Sequence, residues 1–144
     1  MTNPSAQTAT LSDLGAMLRG MTPRLDAETY RFCSITSDAE VAALWGESLS
    51  LFREDEGATL ILREAAAAQH GLPPSPRMHR IVLEVFSALE GVGLTAAVAS
   101  ALANEGIACN MVAAFHHDHV FVLASSSAKA LAVLQSLQNK AIAV

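Results

Sequence analysis

The chain has 144 residues, 51% of them hydrophobic and 16% charged, with a formal net charge of −5. That length suits one compact domain, or two very small units sharing a core. With no basic run to neutralise phosphates, nucleic acid is not an expected partner; the longest apolar stretch, Leu94 to Leu102, is too short and Ala/Ser-rich to span a bilayer.

Alanine dominates the apolar fraction and aromatics are 5%, so the core is expected to use small side chains with elements in close approach. So much apolar content on a short chain also points to burial between subunits, and a homodimer is expected. The opening MTNPSAQTAT has no basic region followed by an apolar block, hence no secretory signal; residues 1–10 read as a disordered polar tail. The mild acidity fits a soluble cytoplasmic protein. Cys33 and Cys109 sit in apolar, strand-like runs without metal spacing and read as buried free thiols in a reducing compartment.

In chain order, Leu11 to Arg19 has helical apolar spacing and stops at Gly20, with Pro23 closing the segment. Tyr30 to Ile35 is a β-rich run. Ser37-Asp38-Ala39-Glu40 is a capping box that opens a helix over Asp38 to Leu44. Trp45 next to it reads as a packing residue. Ser48 to Arg53 and Ala58 to Arg63 form a hairpin around an acidic turn containing Gly57. A helix over Glu64 to His70 ends at Gly71, and GLPPSPR (71–77) reads as a linker.

Beyond the linker the order recurs. His79 to Phe86 is a strand, Gly91-Val92-Gly93 leads into a helix over Leu94 to Asn104 ended by Gly106, and Ile107 to Phe115 with His119 to Leu123 form a second hairpin. Ser126 or Ser127 caps a last helix to about Asn139, with Leu131, Leu134 and Leu137 on its buried side. The closing AIAV reads as a short strand. Each half therefore has strand, helix, hairpin and helix in the same order. Two ferredoxin-like βαββαβ units are expected, an α/β (α+β) fold with helices on one face of an antiparallel sheet. The expected boundaries are 11–72 for the first unit, 73–78 for the linker and 79–144 for the second.

The stretch LEGVGLTAAVASALANEGIACNMVAAFHHDHVFV resembles an ACT domain, the ferredoxin-like module that binds amino acids and regulates metabolic enzymes, including the aspartokinase type. SLSLFREDEGATLILREAAAAQHG is similar to the first half of small proteins with two such units. The hairpin is often Phe-Asp-Thr-Asp in that group; here it is Phe115-His116-His117-Asp118. Phe115 and Asp118 match, and His116 replaces the first aspartate. The resemblance implies a non-catalytic, amino-acid-binding regulatory role with no cofactor. It implies that Asp118 meets a ligand's amino group and that backbone amides of the loop Gly91, Val92, Gly93 and Leu94 meet its carboxylate. Gly93 matches the family's loop glycine, whereas Gly91 departs from the acidic residue that the arginine sensors of this group carry nearby.

Physical chemistry supports the same loop independently, because free N–H groups at a helix N-terminus attract a carboxylate. The third glycine of a dinucleotide fingerprint is absent. Asn110 and Met111 are expected on the strand facing that loop. The cluster His116, His117, Asp118, His119 leaves two other readings open. His117 and His119 on one strand face can supply two zinc ligands, but a catalytic zinc needs a third, and only His79 offers itself. No metal site is assigned. No nucleophile with a base is evident either, so no catalytic residue is assigned. The remaining alternative is a structural pairing module that binds a protein partner.

Overall fold

The computed structural model describes residues 10–144; apart from Thr10, the expected polar tail lies outside them. The helices are α1 (Leu14–Gly20), α2 (Asp38–Leu44), α3 (Glu64–Gln69), α4 (Leu94–Asn104) and α5 (Ser127–Ile142). The strands are β1 (Pro23–Ile35), β2 (Ser48–Glu54), β3 (Gly57–Arg63), β4 (Met78–Leu83), β5 (Cys109–Ala113) and β6 (Asp118–Leu123). All six strands join one antiparallel sheet in the order β2-β3-β1-β4-β6-β5.

That order reads alike from both ends and explains three departures from expectation. A βαββαβ unit closes its sheet by laying a last strand beside its first. Here β4, the first strand of the second half, lies beside β1, and β1 in turn lies beside β4. Each half closes the other, so six strands serve where two separate units would need eight. The expected closing strand AIAV therefore has no place in the sheet, and α5 continues through it to Ile142. The same sharing lengthens β1 well beyond Tyr30–Ile35. Tyr30–Ile35 pairs with β3, while Pro23–Leu25 pairs with the end of β4, across a bulge between Leu25 and Thr29. In turn, α1 starts at Leu14 because Asp13 caps it, accepting a hydrogen bond from the Ala16 N–H at 2.8 Å. The freed Leu11 bonds instead to the segment after β4, through Phe86 and Ala88.

The helices share one sheet face. Met17, Val98 and Leu134 of α1, α4 and α5 pack on Ile81, Leu83 and Val120 of the sheet; Leu44 and Ala67 of α2 and α3 pack with Leu60 and Leu62. Between these two clusters His79 ties β4 to β1 and to the first residue of α5. Ser127 Oγ donates to the Ala124 carbonyl and so accepts from His79 Nδ1 (2.9 Å), leaving Nε2 to accept from Thr29 Oγ1 (3.2 Å). The opposite face carries no helix. Its centre is still buried: Tyr30, Ile61 and Phe121 are largely shielded there, with Phe121 edge-on to Tyr30 and Phe32 at 5.9 and 5.3 Å. The sheet curls over this face, bringing residues of β2 and β5, its two outermost strands, to the walls of one cavity.

Two single residues refine the picture. Trp45 was expected to pack, but it is 62% exposed, because the turn after α2 points it away from Leu44 and the core. Gly57 has φ +144°, and a Cβ there would lie 2.6 Å from the Ile35 carbonyl oxygen. Gly57→Ala is therefore expected to cost about 2 kcal/mol or more in urea unfolding. Gly71→Ala, at φ +64° in open space, is expected to cost about 1 kcal/mol. Equal costs would show that the close approach between β3 and β1 does not matter.

Candidate ligand site at the glycine loop

Between β4 and α4 the chain runs through Val85–Gly93 without regular secondary structure except at Ser87, which bridges to Leu11. The run is held by a turn that the Gly91 N–H closes onto the Ala88 carbonyl at 2.9 Å. Gly93 then takes φ +105° as the N-cap of α4, a left-handed conformation that favours glycine. The capping carbonyl of Gly93 accepts from Ala97. The N–H groups of Leu94, Thr95 and Ala96 precede any possible intrahelical acceptor, so they are available at the positive end of the helix dipole.

Asp118, the first residue of β6, faces this loop. Its partners in the sheet are Leu83 and Ala113, which puts its side chain on the helix-bearing face. It is buried, at 7% exposure, and among the described residues no Lys or Arg pairs with it. Burial pushes its carboxyl above the ordinary value, while the Ser87 hydroxyl and nearby His117 oppose that shift without cancelling it. A buried carboxyl without a cation is a site that favours an incoming ammonium group.

Gly91, Leu94 and Asp118 line one small cavity together with Met17, Ser87 and Thr95. Its volume is about 50 Å³, room for one or two waters. Helix α1 supplies the cover. A Cβ on Gly91 would meet Met17 Sδ at 3.1 Å, and one on Gly93 would meet Leu14 Cδ2 at 3.0 Å. The glycines thus let the loop pass directly beneath α1.

The other expected residues are placed differently. Val92 is 82% exposed, so only its backbone can contribute. Met111 packs into the core beneath the helices. Asn110 lies on the opposite sheet face, in a shallow pocket with Phe32, Met78 and Leu123. His116 is exposed in the β5–β6 turn, edge-on to Phe115 at 5.1 Å and to Phe86 at 6.4 Å. His117 Nδ1 lies 3.2 Å from the Val85 carbonyl oxygen, tying the hairpin to the loop. His79, the remaining histidine weighed as a zinc ligand, pairs with Val122 towards the far end of β6. Among the described residues no three His, Cys, Asp or Glu side chains gather to hold a metal ion. No spacing in the sequence marked Ser87, and Met17 was marked only as part of an apolar helix face.

Two ACT-domain family models match this chain, over residues 9–78 and 78–136. A crystal structure from Vibrio cholerae, of a protein of unknown function and possible transport protein, is 40% identical with a TM-score of 0.76, over 87% of this chain and 95% of that one. The chain belongs to the ACT-domain family. Two further structures share the ACT-domain protein's fold. One is an Agobacterium tumefaciens protein, 18% identical with a TM-score of 0.69, covering 82% of this chain and 89% of that one. The other is the regulatory subunit of aspartate kinase from Thermus flavus, 15% identical with a TM-score of 0.52, covering 82% and 98%. No curated protein matches the sequence. The two ACT matches meet at Met78, the first residue of β4, where one half's closing strand becomes the next half's opening strand. Among the described residues no helix is long and apolar enough to cross a membrane.

Proposed function

We propose that this ACT-domain protein is a non-catalytic regulatory binder of a free amino acid, working as a homodimer, with the ligand held between the Gly91–Thr95 loop and Asp118. The supporting observation is the buried Asp118 carboxyl, which lacks a cationic partner and faces the free amides of α4. The ligand ammonium meets Asp118 and Ser87, and its carboxylate meets the N–H groups of Leu94 and Thr95. The units are residues 11–72 and 79–144, each closed by the other's first strand; the loop and hairpin belong to the second, and α1 of the first covers them.

The cavity is smaller than an amino acid, so binding must lift α1 from the loop, moving Leu14 and Met17. That displacement is the regulatory signal, because a ligand shifts an equilibrium only by preferring one state over the other. Thermal unfolding of the metal-free protein against twenty amino acids, with zinc and nickel in separate wells, tests the reading. A midpoint rise with one or two amino acids is expected. A response to metal alone would overturn it in favour of the histidine cluster. Silence in every well would favour a protein-pairing module, for which exposed Trp45 and Phe52 beside the free edge of β2 offer a surface.

A further inference from the structure

The helix-free face of the sheet holds a group of polar side chains that the glycine-loop site does not use. His119 projects there from β6, beside Val82 of β4 and Val112 of β5. Its Nδ1 is buried and has no hydrogen-bond partner. A buried polar atom left unpaired is costly, and native proteins seldom keep one without a reason. One register step along, Arg80 lies beside Phe121 on the same face, its side chain only 17% exposed. Its Nε and one Nη2 hydrogen go to a single oxygen, Asp26 Oδ2, at 3.0 and 2.5 Å. Three of the five guanidinium hydrogens remain, including both on Nη1.

Arg80 and His119 line the same cavity of about 210 Å³. Ile61, Val112 and Phe121 give it apolar walls, and Leu49 and Ser50 of the edge strand β2 close it. Leu49 and Arg80 also border a neighbouring cavity of about 330 Å³ that contains Tyr30 and Arg63. The guanidinium is held in place. Asp26 clamps it, Tyr30 donates to the same Asp26 oxygen at 2.8 Å, and the Tyr30 ring lies 5.3 Å beneath the cation.

We propose that this face is a second ligand site, for a small carboxylic acid with an apolar body and no free amine. The carboxylate takes the unused N–H groups of Arg80 and the N–H of the neutral His119 imidazole, and the apolar body lies against Ile61, Val112 and Phe121. Burial, with Arg80 second, keeps His119 below its ordinary pKa and so supports the neutral ring. The absence of an amine follows from Asp26. Its charge is already matched by Arg80, and among the described residues no Asp or Glu lines the cavity, so no unpaired carboxylate awaits an ammonium there. The glycine-loop site has the opposite character, since its free carboxyl calls for one. The two sites lie on opposite faces of one sheet, and this inference does not depend on the reading of the loop.

An NMR titration of the full chain with 3-methyl-2-oxobutanoate tests it, following the imidazole signals, the arginine side-chain N–H signals and the backbone amides. Saturable shifts at His119 and Arg80 are expected, with the amides of Gly91 to Thr95 unmoved. His119→Gln is expected to weaken binding at least about fivefold. Val112→Phe, which fills the cavity with an apolar side chain, is expected to abolish it while the rest of the spectrum keeps its dispersion. No saturation at millimolar ligand, shifts centred on the Gly91–Thr95 amides, or an unchanged affinity in either folded variant would overturn the proposal.

Discussion

Asp118→Asn is expected to cut the amino-acid response by about two thirds or more and, at pH 7, to raise the melting temperature of the ligand-free protein. Both effects come from one buried carboxyl. Losing one partner of a buried, hydrogen-bonded charge pair costs about 2–5 kcal/mol of binding, a loss of roughly 30-fold or more. For the wild type, ligand at a hundred times its Kd stabilises the native state by about 2.7 kcal/mol, a rise of about 10 °C for a chain of this size. The variant should keep about a third of it or less. The gain in the free protein follows from the sign of the shift. Burial raises the folded pKa of Asp118 above its unfolded value. Ionised Asp118 therefore destabilises the fold at pH values above the folded pKa. The penalty fades as pH falls through that value and vanishes below the unfolded pKa, where both states are protonated. The melting curves of variant and wild type should thus converge towards pH 4. A variant that melts lower than wild type at every pH would mean that Asp118 is already satisfied within the chain and is not waiting for a ligand.

The parts of the fold legible in the sequence are those whose signals are local. Ser37 with Glu40 opens α2, its Oγ accepting from the Glu40 N–H, and the helix spans Asp38–Leu44 as the capping box predicts. Gly93 and Gly106 bracket α4 in the same way, both at positive φ. What eluded the sequence was set by partners far along the chain. Pro23 to Thr29 contains acidic residues and a proline, a poor strand by propensity, yet pairing with β4 draws both ends of it into the sheet. AIAV has strand propensity, but the place of a closing strand, beside β4, is already held by β1. At the site, the loop glycines and Asp118 carried a motif, and the structure brings Gly91, Leu94 and Asp118 together. Asn110 and Met111 could have been separated by alternation alone: neighbours on a strand face opposite ways, so they cannot both look at one loop. Nothing placed Met17 or Ser87 at the loop, because their role depends on α1 folding back over a segment some seventy residues later.

Arg80→Met is expected to be among the most damaging single changes in the protein, costing about 3–5 kcal/mol, a large share of an ordinary domain's stability. The side chains of Arg80 and Asp26 are 17% and 13% exposed, so the pair is largely out of water. Without the guanidinium, the Asp26 carboxylate keeps only the Tyr30 hydroxyl and the Glu28 N–H. Burial alone would favour its neutral form. In the native protein the hydrogen bonds from Glu28, Tyr30 and Arg80 outweigh burial and hold its pKa at about 2, against 3.8 for the free group. A lowered carboxyl pKa adds stability that is fully present above about pH 4 and is lost as pH falls from there to 2, about 2 kcal/mol in all. Urea unfolding of wild type between pH 2 and 7 should show that acid slope, and Arg80→Met should flatten it. Asp26→Asn in the Arg80→Met background should recover most of the loss, since it removes the stranded charge rather than a contact. The location gives the pair its weight. Asp26 lies in the bulge where β1 leaves its own half of the sheet to close the other, and Arg80 is on β4, the strand it meets. Breaking the pair therefore loosens the seam that the two ACT units share. A cost below about 1 kcal/mol with an unchanged acid slope would show that strand pairing alone holds that seam.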